Sequence, residues 1–204
     1  MSISTKICKK CNQKTELNQF YKRKTAKDGL RDWCIKCEKD SIVKYRRTKK
    51  GLIYSVFRSQ NARSLIHGYD KPQYNSKQLF EWAIKQNIFH ELFDKWVESG
   101  YDKMLVPSFD RLDDYKGYNL SRLRIVTWQE NKDKFDKDRI DGINNKKSKA
   151  VIQWSLEGNF IKEFYSMANA ARETGTSRTK IVLCCKGKRN TSNGFRWSYK
   201  QCTL

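Results

Sequence analysis

Residues Pro107 to Asn131, PSFDRLDDYKGYNLSRLRIVTWQEN, decide how this chain is read. The pattern predicts a strand over 106–111, a turn-rich loop over 113–117, a second strand over 123–127 and a helix from Trp128 to about Lys137. Thr127 is placed to cap that helix, with Glu130 at capping-box spacing. Folding back, the hairpin and helix bring Asp110 toward Asn131, one hard carboxylate and one amide oxygen. Such ligands suit Mg²⁺ or a similar cation that keeps waters and a phosphate oxygen in its shell.

Pro107, Ser108, Asp110, Arg111, Asp113, Gly117, Tyr118, Leu123, Thr127, Trp128 and Asn131 follow a motif of approximately P-S-x-D-R-x-D-x-x-x-G-Y-x-x-x-N-[IL] and T-W-x-x-N. In these residues the chain resembles the HNH (ββα-metal, His-Me finger) endonucleases of the phage and intron-encoded homing type. With the preceding helix, the resemblance covers residues 76–138. It implies that Asp110 and Asn131 hold a metal that stabilises charge on a scissile DNA phosphate. Two positions depart from the family pattern: Arg111 stands where the general-base histidine usually falls, and Arg122 where the central asparagine would be. An arginine stays protonated and cannot serve as an ordinary base; its expected work is to clamp a phosphate oxygen. His90 is then the first candidate base, Asp113 the second and His67 the third, with an activated water lacking a dedicated protein base as the remaining alternative. The plainer readings are that His90 packs in an aromatic helix and that Asp110, Asp113 and Asp114 only form turns.

Cys8 and Cys11 make one C-x2-C pair, and Cys34 and Cys37 another. Two such knuckles, each delivering two thiolates through a tight turn, fit a closed tetrahedral zinc site of structural kind. Residues 1–40 hold few large apolar groups, Phe20, Tyr21, Leu30 and Trp33 among them, so metal binding is expected to supply much of the folding free energy. Lys9, Lys10, Lys22, Arg23, Lys24 and Lys27 surround the site as on a DNA-contacting ribbon. Cys184, Cys185 and Cys202 lack a second knuckle and read as ordinary thiols.

The formal charge of +21 points to a polyanionic partner. Residues 1–63 carry 18 Lys and Arg against 5 Asp and Glu, residues 64–137 carry 12 against 12, and residues 138–204 carry 13 against 5. Basic arms flank a neutral middle, which suits phosphate neutralisation at both ends. No apolar run approaches the roughly 18 residues of a membrane helix, and MSISTKICKKCNQ lacks a signal-peptide core; the expectation is cytoplasmic, in the host cell if phage-encoded.

From about Cys37 to Ile66 the chain is basic and helical in period, with Gly51 as the expected break. Residues 76–99 form an amphipathic pattern with Ser76 as the expected cap, ended by Gly100. Ile140 to Lys149 is polar and reads as a linker. A hairpin is expected around Glu157-Gly158-Asn159, then a helix from Met167 to about Thr174, a turn at Gly175 and a second helix from Ser177 to Cys185. Helix, glycine turn, helix is the helix-turn-helix order. Ser166, Ala170, Ala171, Arg172, Thr174 and Gly175, then Ile181, Cys184, Cys185, Gly187 and Lys188, then Gly194, Phe195 and Trp197, resemble the modular DNA-binding repeat at the C-terminal ends of intron-encoded nucleases. Arg122, Arg124, Arg172, Arg178, Lys180, Lys186, Lys188 and Arg189 are the expected DNA contacts.

Together these features predict an α+β modular protein: a four-cysteine zinc ribbon over 1–40, a basic helical connector over 41–75, a ββα-metal core over 76–138, a linker over 139–149 and a helix-turn-helix module over 150–204. The expected function is a metal-dependent endonuclease acting on double-stranded DNA, using structural Zn²⁺ and a catalytic Mg²⁺ or other divalent cation, monomeric and without a small-molecule cofactor. A non-catalytic DNA-binding protein or decayed nuclease is the alternative, with Arg111 and Arg122 as its evidence. An RNA-binding zinc protein fits the charge but leaves Pro107 to Asn131 unexplained.

Overall fold

A computed structural model describes residues 4–200; Cys202 lies outside them. The chain divides into two compact units, with the division after Trp128. The fold is α+β, with helices around small antiparallel sheets. Among the described residues no helix is long and apolar enough to cross a membrane.

The first unit opens on two small hairpins. β1 (Thr5–Ile7) pairs with β2 (Lys14–Glu16), and β3 (Phe20–Lys22) with β4 (Leu30–Cys34). Helix α1 (Ile35–Arg46) leaves directly from β4. The second cysteine pair therefore straddles a strand-to-helix junction, which corrects the expectation that both pairs sit in tight turns of a ribbon. Helix α2 (Lys49–His67) follows after a break at Arg47 and Thr48, and the Thr48 hydroxyl caps it by accepting from the Gly51 N–H at 3.0 Å. Gly51 is thus not the break. It lies in the first turn of α2, where an added Cβ would stand 1.9 Å from the Tyr45 carbonyl oxygen, so close approach of the α1 end explains the glycine.

Helix α3 (Ser76–Ile84) is capped by Asn75 in place of Ser76. The Asn75 side chain accepts from Gln78 N at 2.9 Å and the Gln78 side chain accepts from Asn75 N at 2.8 Å, a complete capping box. Helix α4 (Asn87–Glu98) presents Phe89, Leu92, Phe93 and Trp96 to the core. Strands β5 (Pro107–Arg111) and β6 (Leu123–Thr127) pair antiparallel, with Phe109 opposite Ile125 and Asp110 opposite Arg124. The core joins Leu52 and Ile53 of α2, Leu79 and Ala83 of α3, the α4 aromatics, and Phe109 and Ile125 of the hairpin. Phe109 packs at a tilt against Trp82 and Phe89, at about 6 Å between ring centroids. Because successive strand residues face opposite sides, burial of Phe109 against α3 and α4 turns Asp110 to the other face.

The second unit holds most of α5 (Trp128–Ile140) and a three-stranded sheet in the order β8-β7-β9, from β7 (Val151–Trp154), β8 (Phe160–Phe164) and β9 (Arg196–Tyr199). Helices α6 (Met167–Thr174) and α7 (Arg178–Cys185) pack on it around Val151, Phe164, Ala170, Ile181 and Trp197. Strand β9 is an addition to the expected elements. Gly175, at φ 66°, closes α6 in the left-handed region as a helix-turn-helix link requires. Burial raises the thiols of Cys184 and, to about 11, Cys185, which fits unreactive packing cysteines.

Candidate metal centres and nucleic-acid interface

The thiol sulfurs of Cys8, Cys11, Cys34 and Cys37 all lie within 4.8 Å of one another. Among the described residues this is the one group of three or more His, Cys, Asp or Glu side chains disposed to share an ion. Asn12 makes the first knuckle tight by adopting φ 56°, and its N–H donates to the Cys8 carbonyl at 2.8 Å. Burial acts to raise the Cys8 thiol, but backbone donors from Cys34, Cys11 and Lys10 outweigh it and bring it down to about 6; the Cys34 N–H reaches the Cys8 sulfur at 3.2 Å. Cys37 is pushed up to about 12, first by burial and then by its cysteine neighbours. Four converging sulfurs suit a closed structural ion.

The hairpin sets the other candidate site. Asp110 is only 4% exposed, and Arg124 Nε reaches its Oδ2 at 2.8 Å from the opposite strand. Arg124 itself stays substantially exposed, so the pair anchors the carboxylate while leaving the guanidinium at the surface. Asn131 lies half-buried in the first turns of α5, eight positions after Leu123 in the chain.

Arg111 is placed otherwise than as a free phosphate clamp. Its guanidinium carbon sits 5.1 Å from the Tyr69 ring centroid and 4.6 Å from that of Tyr118, and Nη1 donates to the Lys116 carbonyl at 2.9 Å. The cation staples the 112–118 loop to the α2–α3 connection. Tyr69 adds a bond from its hydroxyl to the Asp114 carbonyl at 3.2 Å. The sequence reading missed Tyr69, which no local pattern marks.

His90 is corrected as a candidate base. Its Nε2 lies 2.8 Å from the Ile84 carbonyl oxygen, which can only accept, so Nε2 carries the proton; its Nδ1 lies 2.9 Å from Lys49 Nζ, which donates. Both ring nitrogens are committed, and the imidazole joins α4 to the start of α2. Asp113 accepts from the Tyr115 N–H at 2.8 Å and pairs with Lys116 at 3.2 Å; the Tyr115 bond, then the Lys116 bond, hold its carboxyl below the usual range and make it a weak base. His67, exposed at the end of α2, lies tilted against Tyr69 at 6.1 Å between ring centroids, the ring that also beds Arg111.

Arg122 lines a cleft of about 210 Å³ together with Lys71, Lys116, Asp70 and Tyr118, a pocket whose three cations face one acid. On the second unit Arg178 and Lys180 of α7, and Lys186, Lys188 and Arg189 after it, are exposed as a groove-reading helix and its flank require. Arg172 departs from that set: its Nη2 donates to the Ile140 carbonyl at 3.0 Å and to the Tyr165 hydroxyl at 3.1 Å.

The β5–β6 hairpin, the helix after it, the cysteine quartet and the terminal helix pair are all elements expected from the sequence. Residues 149–184 match the NUMOD1 domain. The chain is 35% identical over 69 residues to a protein named probable mobile endonuclease B of Enterobacteria phage T4, over 33% of this chain and 26% of that one. It is 41% identical over 51 residues to an uncharacterized HNH endonuclease of Acanthamoeba polyphaga mimivirus, over 25% of this chain and 16% of the other. A solved structure titled DNA binding and cleavage by the HNH homing endonuclease I-HmuI aligns at 25% identity over 47% of this chain and 59% of its own, with a TM-score of 0.27. The chain thus spans about a quarter or less of the length of these two curated relatives.

Proposed function

We propose that this protein is a metal-dependent endonuclease of the HNH type that hydrolyses phosphodiester bonds in double-stranded DNA at a recognised site. The carrying observation is Asp110, a buried carboxylate held by Arg124 on the β5–β6 hairpin and followed in the chain by an asparagine at the start of a helix. The names of the curated relatives, both endonucleases, support the same class.

Asp110 and Asn131 would hold the catalytic cation, Mg²⁺ or another hard divalent ion. The donor set fits: a lone carboxylate and an amide oxygen make too few ligands for a closed cage, which is how Mg²⁺ is usually held when waters and phosphate complete its shell. When bound, the cation supplies Lewis-acid stabilisation of charge on the phosphate and the departing 3′ oxygen. The exposed Arg124 guanidinium, and Arg122 with Lys71 and Lys116 in the adjoining cleft, bind the neighbouring phosphates. Arg111 keeps the loop between the strands in place through its two tyrosines. With His90 committed and Asp113 acidic, His67 is the proton acceptor for the attacking water.

The cysteine quartet holds Zn²⁺, whose role is to fold residues 4–40. The α7 helix of the NUMOD1 module reads the DNA groove, with Arg178 and Lys180 as its contacts and Lys186, Lys188 and Arg189 on phosphates. The protein acts as a monomer in the cytoplasm, that of a host cell if phage-borne.

The test is to select the DNA sequences the zinc-loaded protein binds from a random pool, then to incubate them with Mg²⁺ and sequence the ends produced. Discrete new ends that appear only with the divalent cation, and that diminish with His67→Ala and Asn131→Ala, bear the proposal out. Tight selective binding with no ends under any divalent cation would identify a non-catalytic DNA-binding protein instead.

A further inference from the structure

The segment after α5 has the polar composition of a linker, yet it is tied down. Asp141 N donates to the Lys137 carbonyl at 2.8 Å, and Ile143 N and Asn144 N both donate to the Asp138 carbonyl, at 2.8 and 3.0 Å. Asn144 is buried, 7% exposed. These bonds close the last turn of the helix in the manner of a C-cap.

Two side chains of the NUMOD1 module then seize the helix end. The Tyr165 hydroxyl donates to the carbonyl of Ile140, the last residue of α5, and Arg172 Nη2 donates to the same oxygen at 3.0 Å and to the Tyr165 hydroxyl at 3.1 Å. A cation at a helix C-terminus is also favoured by the helix dipole. Gly142 completes the fit: at φ 78°, an added Cβ would stand 2.7 to 3.0 Å from three atoms of the Tyr165 ring. Tyr165 lies between the end of β8 and Ser166, the N-cap of α6, while Arg172 is on α6 itself. Both donors therefore stand on the rigid frame that presents α7.

We propose that Tyr165 and Arg172 form a latch that makes α5 and the NUMOD1 module one rigid body, so that cleavage falls at a fixed phosphodiester step from the sequence the module reads. The inference rests on the function proposed above, because α5 carries Asn131 of the candidate cation site. Tyr165 and Arg172 are then positioning residues for the choice of phosphate, and touch neither the reacting atoms nor the cation. A flexible 139–149 segment would instead let the helix range over several phosphates at one bound site.

Two readouts keep the latch and the cleavage reading separate. In the zinc-loaded full chain, the rate of tryptic cleavage after Lys146, Lys147 and Lys149 reports whether the segment is held. The Tyr165→Phe/Arg172→Gln double variant should be cut there at least tenfold faster than wild type, and Gly142→Val likewise, while Arg172→Lys, which keeps a donor for the Ile140 carbonyl, should stay near the wild-type rate. On end-labelled selected DNA, wild type should cut at one phosphodiester and the double variant should spread over several adjacent ones; this distribution, unlike the rate, is unaffected by a change in affinity. Equal tryptic rates, or a single unchanged cut position despite faster proteolysis, would overturn the latch as the determinant of cut position. If wild type cuts no DNA, the cleavage reading falls by itself, and the edges of a hydroxyl-radical footprint replace the cut position: footprints equally sharp in wild type and double variant would overturn the latch.

Discussion

Lys49 Nζ donates to His90 Nδ1 across 2.9 Å while His90 Nε2 donates to the Ile84 carbonyl, so the imidazole bridges two helices as a satisfied structural group. Replacing it should affect stability before chemistry. His90→Ala is expected to lose about 1–3 kcal/mol, the cost of leaving half-buried hydrogen-bonding partners unmet, with the cleavage rate at saturating protein within a few-fold of wild type. Thermal denaturation and single-turnover kinetics on the same preparation separate the two effects.

Arg111 between Tyr69 and Tyr118 predicts a different signature. Arg111→Lys keeps the charge and loses the flat stacking surface and the fork that reaches the Lys116 carbonyl. A loss of about 1–2 kcal/mol is expected from the aromatic contacts and hydrogen bond together, with faster amide exchange confined to residues 112–118. If exchange in this loop is unchanged while cleavage collapses, Arg111 works on DNA directly.

Gly51 offers a test of the α1–α2 junction. A Cβ there would meet the Tyr45 carbonyl oxygen at 1.9 Å and its carbon at 2.6 Å, both of them backbone atoms. Gly51→Ala, normally a gain of up to about 1 kcal/mol within a helix, should instead destabilise the first unit, visible as a lower midpoint in urea unfolding.

The cysteine quartet predicts one tightly held zinc per chain by native mass spectrometry, and loss of structure confined to the N-terminal hairpins on chelation. Cys8, brought to about 6 in the folded site, is a thiolate at neutral pH. A depressed folded pKa contributes stability above the unfolded thiol range that is lost as pH falls through the folded value. Zinc needs deprotonated sulfurs and itself favours the thiolate, so acid should release it only below the range where the metal-free Cys8 titrates, and Cys8→Ser should release the ion at neutral pH.

What could be read before the fold was known follows the range of the interactions. The β5–β6 hairpin, the cysteine pairs and the α6–Gly175–α7 turn rest on neighbours close in sequence, and their patterns are explicit. Strand β9 pairs with β7 some 40 residues earlier, although Phe195, Trp197 and Tyr199 do alternate with polar residues. The fates of His90 and Arg111 were out of reach because Lys49 and Tyr69, their partners, stand 41 and 42 positions away. Arg172 resembled a DNA contact by residue type alone; only the fold brings Ile140 to it.

Asp110 carries the central claim, and the decisive measurement is the single-turnover cleavage rate of Asp110→Asn in saturating Mg²⁺ on DNA that the wild type binds and cuts. Asparagine keeps the volume and removes the charge the cation requires, so the account predicts a fall of at least about 100-fold, several kcal/mol of transition-state stabilisation, with DNA affinity held within a few-fold. A variant that cuts at the wild-type rate would contradict the assignment of this hairpin as the catalytic centre.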